Sequence, residues 1–173
     1  MCDVMKLTNE FMDNENKRYE TVCGEVVFHS RSVAVCVHIY AEVEGEMYVA
    51  ALQRGERMDH GGMWCMPCGY LDWNESAETG ARREVMEELG IKPDALGELE
   101  FLGVEDEPEA YKQNITFVYR ARVDGLLALC SAGAAEGEVQ EMRWMNVTEV
   151  REGKHVGACG HDTSMLQELE QQN

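Results

Sequence analysis

The segment SAETGARREVMEEL, from Ser76 to Leu89, places an apolar residue at every fourth position: Ala77, Ala81, Val85 and Leu89. That period is a helix with a narrow buried stripe, and it ties this segment to whatever apolar surface the stripe covers. Asn74 or Ser76 can cap its start, Glu75 and Glu78 suit its positive end, and Gly90 suits its stop. Most of the remaining pattern is strand. VCGEVVFH and SVAVCVHIYAEV are β-branched and apolar. The second is followed by a turn at Glu44-Gly45-Glu46 and then MYVAALQR, a hairpin pattern. Downstream, LEFLGVED, NITFVYRARV and EVQEMRWMNV read as three more strands. SMLQELEQQ reads as a C-terminal helix, with Ser164 and Gln167 at capping-box spacing. Residues 1–20 are polar and aperiodic, expected to be an arm or short helix, and residues 21–173 are expected to form one α+β domain.

Charge narrows the partners. A net charge of −18 argues against a nucleic-acid polymer or an anionic membrane surface. A small anionic substrate remains compatible, provided a cation mediates. The N-terminus lacks the apolar core of a leader peptide, and VAVCVHIYA, Val33 to Ala41, is too short to span a bilayer. The 7 cysteines are scattered without a framework, as free thiols in a reducing compartment are, so a soluble cytoplasmic protein is expected.

On the Ser76–Leu89 helix, Glu84 and Glu88 are four residues apart and Glu84 and Glu87 three apart, so the three carboxylates share one face beside the apolar stripe. Like charges at these spacings destabilise an isolated helix by a few tenths of a kcal/mol per pair, about 0.2–0.5. Two readings follow. The trio is a solvated acidic face, or it seats a cation. Hard oxygen ligands without adjacent His or Cys favour Mg²⁺, with Mn²⁺ as a substitute, over Zn²⁺. Gly80 lies one turn before Glu84 and leaves room on that side for something to approach.

The wider segment decides between them. Gly69, Glu75, Arg83, Glu84, Val85, Glu87, Glu88, Gly90 and Ile91 stand at every position of the Nudix box. Its fixed residues, at ordinary usage, would coincide by chance about 10⁻⁸ of the time per start position. The sequence therefore resembles the Nudix hydrolase family, loosely from Val22 to Thr148 and closely across the box. The resemblance implies an α/β/α sandwich with a mixed β-sheet. It also implies Mg²⁺-dependent cleavage of a diphosphate bond in a nucleoside diphosphate derivative, with ADP-ribose or another nucleotide sugar as the substrate class. On that resemblance Glu84, Glu87 and Glu88 hold the metal, joined by the carbonyl of Gly69. Glu84 or Glu88 handles the proton of the attacking water, and Arg83 paired with Glu75 fixes the geometry without touching substrate. The resemblance also implies a further carboxylate from a distant loop or strand, for which Glu138 has better spacing than Glu141. Related proteins are commonly homodimers. The rival reading is a Nudix-fold module that binds or senses a nucleotide without cleaving it, whose usual sign is loss of a box carboxylate; here all are present.

Other residues invite roles beside plainer ones. Arg54 can contact a phosphate or lie on the surface. Trp64, Tyr70 and Trp73 can stack on a base or pack, and Met58, Met63 and Met66 can line an apolar wall or fill the core. CMPC sets Cys65 and Cys68 at metal or redox spacing, in principle with His155, Cys159 and His161, but no second close pair accompanies it. Pro108 lies near, and not on, the spacing associated with ADP-ribose hydrolases.

Overall fold

The computed structural model describes residues 4–8, 17–24, 26–29, 31–58, 60–107, 114–131, 133–134, 137–152 and 154. In chain order its elements are β1 (Val4–Thr8), β2 (Lys17–Thr21), β3 (Val26–His29), β4 (Val33–Val43), β5 (Glu46–Arg54), β6 (Trp64–Cys65) and β7 (Cys68–Tyr70). Then follow α1 (Ala77–Leu89), β8 (Glu100–Glu105), β9 (Ile115–Arg122), β10 (Val139–Asn146) and α2 (Val147–Arg151). The described residues fall into two units, one up to Ser32 together with Asn114, the other from Val33 to Glu107 and from Ile115 onwards.

The first unit is an antiparallel ladder in the order β1-β2-β3. This differs from the expected polar arm or short helix over 1–20, since β1 and most of β2 lie inside that stretch, and the unit ends at Ser32 rather than at residue 20. The ladder is held by backbone pairing, which polar segments such as KRYET satisfy without an apolar period. The C-terminal helix read at Ser164–Gln167, together with Pro108, His155, Cys159 and His161, lies outside the described residues.

The second unit is built on β4. Its residues Ala34–Ile39 and Ala41 are buried, so both faces of the strand are covered. β4 pairs in parallel with β9 and antiparallel with β5, and the full order β10-β5-β4-β9-β8 makes a mixed sheet. The β4–β5 hairpin turns where the sequence places it, with Glu44 and Gly45 both at positive φ (53° and 80°), the primed turn that suits strand twist. Away from the turn β4 and β5 take other partners: β6 pairs β5 at Leu52 and Gln53, and β7 pairs β4 at Ala34 to Cys36. The short β6–β7 turn thereby fills the gap between the hairpin strands and delivers the chain to the start of α1.

Helix α1 lays Ala81, Val85 and Leu89, all fully buried, onto Val35, Val37, Ile39, Ala50 and Leu52. Ser76, not Asn74, is the cap: its side chain accepts from the Thr79 N–H at 3.2 Å. Gly90 ends the helix at φ 69°, and its N–H donates to the Met86 carbonyl. The opposite sheet face carries a second cluster in which Val147 and Val150 of α2 meet Val49, Ala51, Trp64, Met66 and Met145. The unit is thus an α/β/α sandwich around a mixed sheet.

Truncating Leu89 to Ala should cost about 2–5 kcal/mol, because a fully buried side chain leaves a cavity. Met86→Ala, on the exposed side of the same helix, should change stability by no more than about 0.5 kcal/mol. Urea unfolding of the two variants separates these outcomes.

Candidate active site

One guanidinium organises the box. Arg83 Nε donates to Glu75 Oε1 and Nη2 to Glu75 Oε2, each at 3.0 Å, a bidentate fork. Its Nη2 also donates to the Tyr70 carbonyl at 2.9 Å, while Nη1 reaches Glu84 Oε1 at 2.7 Å and Glu87 Oε2 at 3.1 Å. Asp72 Oδ2 stands 3.7 Å from Nε. Arg83 therefore ties the turn after β7 to α1 and sits among the acidic side chains. Its pKa is raised above the usual guanidinium range, chiefly by the hydrogen bonds it donates to Glu75, and the Glu75 carboxyl is held below its ordinary value by the same contact. Glu75 Oε2 also accepts from the Asp72 N–H at 3.1 Å, so this carboxylate pins the loop from within. Gly80 has a different use from the one its spacing invites: a Cβ there would meet Leu71 Cδ2 at 2.5 Å and Glu75 Oε2 at 2.9 Å, so it is the loop that approaches.

Glu84 and Glu88 are buried carboxylates, 8% and 6% exposed, whereas Glu87 is half-buried. Burial raises the pKa of both, and for Glu88 the push reaches about 9, with the charges of Cys65, Glu84 and Glu138 adding to it. The Cys68 N–H is an opposing contact, donating to Glu88 Oε2 at 2.9 Å. The charge of Glu138 acts on Glu84, Glu88 and Cys65, and its carbonyl accepts from the Gly55 N–H at 2.9 Å, next to the Arg54–Val139 pair of β5 and β10. Gly69 is where the Glu84 carboxyl group rests; an added Cβ would meet its Cδ and both of its oxygens.

Among the described residues no three His, Cys, Asp or Glu side chains stand together at metal-ligating distance, and Arg83 takes up oxygens of Glu84 and Glu87 instead. The donor set nevertheless fits a hard divalent cation. Two carboxylates are buried at a cost that positive charge would relieve, and the bare Cα of Gly69 brings main chain against one of them.

The remaining candidates separate. Arg54 hydrogen-bonds the Cys65 thiol, on the sheet face that α1 covers. Trp64 does not share that face: it is buried on the α2 side, with the Arg143 guanidinium 4.4 Å from its ring centroid. Alternation along β6 explains this, since Cys65 and Trp64 must face opposite ways. Tyr70 and Trp73 are exposed on the Arg83-bound turn, Met66 is core, Met63 packs against the α1 cluster and Met58 is exposed. Cys68 makes Cys65 easier to deprotonate, and Cys65 together with burial makes Cys68 harder. Not legible beforehand is the loop after β9, where Cys130 N–H donates to the Leu89 carbonyl (3.0 Å) and Gly133 N–H to that of Glu87 (3.1 Å). It satisfies the last carbonyls of α1 in a segment with no motif to announce it.

A mixed sheet between two helices, with a carboxylate-bearing helix pinned to the turn before it, is the Nudix architecture. The chain belongs to that family: the NUDIX domain model matches residues 30–161. An RNA pyrophosphohydrolase of Wolbachia pipientis subsp. Culex pipiens (strain wPip) is 26% identical over 133 residues, 77% of this chain and 61% of that protein, so the match spans less than two thirds of the relative's length. The NUDIX domain of Shewanella oneidensis NrtR, solved with ADP ribose, has a TM-score of 0.67 at 20% identity over 84% of this chain and 91% of that one. A NUDIX hydrolase from Nitrosomonas europaea also has a TM-score of 0.67, at 20% identity, over 99% and 88%. At such identities the solved structures speak for the fold. Among the described residues no helix is long and apolar enough to cross a membrane.

The Glu88 carboxyl ionises near 4.5 in the unfolded chain and near 9 in the folded one. Between those values the folded state binds more protons, so stability falls as pH rises through this window. The Tm of metal-free protein should therefore decline from mildly acidic to alkaline pH. Mg²⁺ should raise it more at about pH 8 than at about pH 6, because cation and proton compete. Glu88→Gln should flatten the slope in a thermal-unfolding series.

Proposed function

We propose that this chain hydrolyses the diphosphate bond of a nucleoside diphosphate derivative with Mg²⁺, which Mn²⁺ can replace. The observation that carries this reading is the pair of buried carboxylates, Glu84 and Glu88, inside a complete box, with the charge of Glu138 acting on both. Glu84, Glu87, Glu88, Glu138 and the Gly69 carbonyl would hold the cation. When bound, it would neutralise diphosphate oxygens, sharpen phosphorus as an electrophile and favour the ionised carboxylates. Glu84 or Glu88 accepts the proton of the attacking water, for which a carboxylate on that buried face is the available base. Arg83 and Glu75 act at one remove, keeping the Tyr70–Ser76 turn and α1 in register so that the carboxylates converge. Arg54, on the same face of the sheet, would meet a phosphate.

ADP-ribose or another nucleotide sugar is the substrate class we favour. Support comes from the ADP ribose bound by the Shewanella domain, and from the pyrophosphohydrolase name of the Wolbachia relative, which points to the same bond. That relative's name speaks of RNA, but a chain of net charge −18 repels a long polyanion, so the nucleotide end rather than a polymer is the fitting ligand. Exposed Tyr70 and Trp73 offer rings for a base to stack on.

A panel of nucleoside diphosphate compounds with Mg²⁺ or Mn²⁺, scored for released nucleotide, tests the class. On the substrate so found, Glu84→Gln and Glu88→Gln should each lower kcat by about 10²–10⁴ with the fold retained. Near-normal turnover in both would remove the mechanism. Arg83→Ala should lower kcat through geometry by roughly 10- to 100-fold; a change confined to KM would place Arg83 on the substrate instead.

A further inference from the structure

The connection between β9 and β10 carries no motif, yet it is strapped to the box helix at close intervals. Leu127 and Leu129 pack against the cluster that α1 covers, and the Leu127 carbonyl accepts from Trp144 Nε1 at 2.8 Å. The Cys130 N–H then reaches the Leu89 carbonyl at 3.0 Å. Gly90 admits this approach, because a Cβ there would meet the carbonyl oxygen and Sγ of Cys130. Three donors converge on the Glu87 carbonyl: the Gly133 N–H at 3.1 Å, the Ala134 N–H at 3.3 Å and Ser131 Oγ at 3.4 Å.

Closing a helix end needs donors, not a glycine. Gly133 lies outside the left-handed region, so an alanine there would meet no backbone strain. What stands in its way is Glu87. An added Cβ would sit 2.8 Å from Glu87 Cγ, 3.3 Å from its Cβ and 3.6 Å from its Cα. The bare Gly133 Cα is a wall against the stem of one of the three box carboxylates. Glu87 is half-buried, and its Oε2 accepts from Arg83 Nη1 at 3.1 Å. Its side chain is therefore held at the tip by the box arginine and at the stem by the strap.

We propose that Gly133 is a positioning residue for metal binding: it sets the direction of the Glu87 side chain, and with it the part Glu87 takes in holding the divalent cation. A methyl group at 133 drives Glu87 Cγ aside, because the segment is tied to α1 at Cys130 and Ala134 and cannot retreat without giving up those bonds. The Glu87 stem turns to another rotamer, and the carboxylate leaves the face it shares with Glu84. The consequence for turnover rests on the hydrolytic reading above; the contact between Gly133 and Glu87 does not.

The test compares the full chain as wild type, Gly133→Ala, Glu87→Gln and the double variant. Mn²⁺ is titrated and the free ion followed by electron paramagnetic resonance, and turnover is measured on the panel substrate that wild type cleaves. Gly133→Ala should weaken Mn²⁺ binding by roughly 10- to 100-fold. Turnover should fall at limiting Mg²⁺ and recover as Mg²⁺ saturates, a pattern that mere loss of folded protein would not produce. In the Glu87→Gln background the same methyl group should change Mn²⁺ affinity by less than about 2-fold, since the ligand it displaces is already gone. Glu87→Ala removes the facing Cγ, so the Tm loss caused by Gly133→Ala should shrink in that background. Wild-type Mn²⁺ affinity in Gly133→Ala would overturn the proposal, as would a full further loss on top of Glu87→Gln. So would a Gly133→Ala chain that does not fold and that Glu87→Ala does not restore. If wild type binds Mn²⁺ and cleaves nothing in the panel, the hydrolytic reading fails alone and the titration still decides Gly133; if it binds no Mn²⁺, both fall.

Discussion

A single guanidinium among carboxylates is the constraint on which the rest of this site depends. Three acidic side chains at helical spacing repel one another, and two of them are buried, where charge is expensive. Arg83 offsets the repulsion and the burial of Glu84 at once, because its planar fork reaches Glu75, Glu84, Glu87 and the Tyr70 carbonyl from one position, while Glu88, beyond its reach, keeps a raised pKa. A lysine, with a point charge on a flexible stem, could not span the same acceptors. The turn between β7 and α1 is consequently part of the helix's electrostatic environment rather than a loose connection.

The sheet explains why that fork can be so well placed. β4 is covered on both faces and paired along both edges, so the β6–β7 turn that follows it in space has little freedom. The α1 stripe rests on β4 and β5, and the carboxylates lie along the margin of that contact, half inside the core. Such a margin is where a side chain is dry enough to have its pKa moved and open enough to meet a ligand. The helix's far end is closed by main-chain donors from Cys130 and Gly133, so α1 is fixed at both termini.

Much of this was legible and some was not, for reasons that differ by residue. The hairpin at Glu44-Gly45 and the cap and stop of α1 follow from local conformational preference, which a short stretch carries in full. Trp64 and Cys65 are adjacent in sequence, yet one packs under α2 and the other meets Arg54 and the acidic face; which goes where depends on the β5 register, a non-local fact. The spacing of Gly80 leaves room for something to approach, and it is the loop that fills it. β2, KRYET, is a polar strand in a backbone ladder and shows no apolar period.

The chain by itself determined the family, the helix that bears the acidic residues and the pairing of Arg83 with Glu75, since all of these lie within one contiguous motif whose spacing is its geometry. Only the tertiary structure decided that the charge of Glu138, some fifty residues beyond α1, acts on Glu84 and Glu88, and that the Cys68 N–H supports Glu88. Distances across a sheet are set by strand order and register, and no local pattern encodes them.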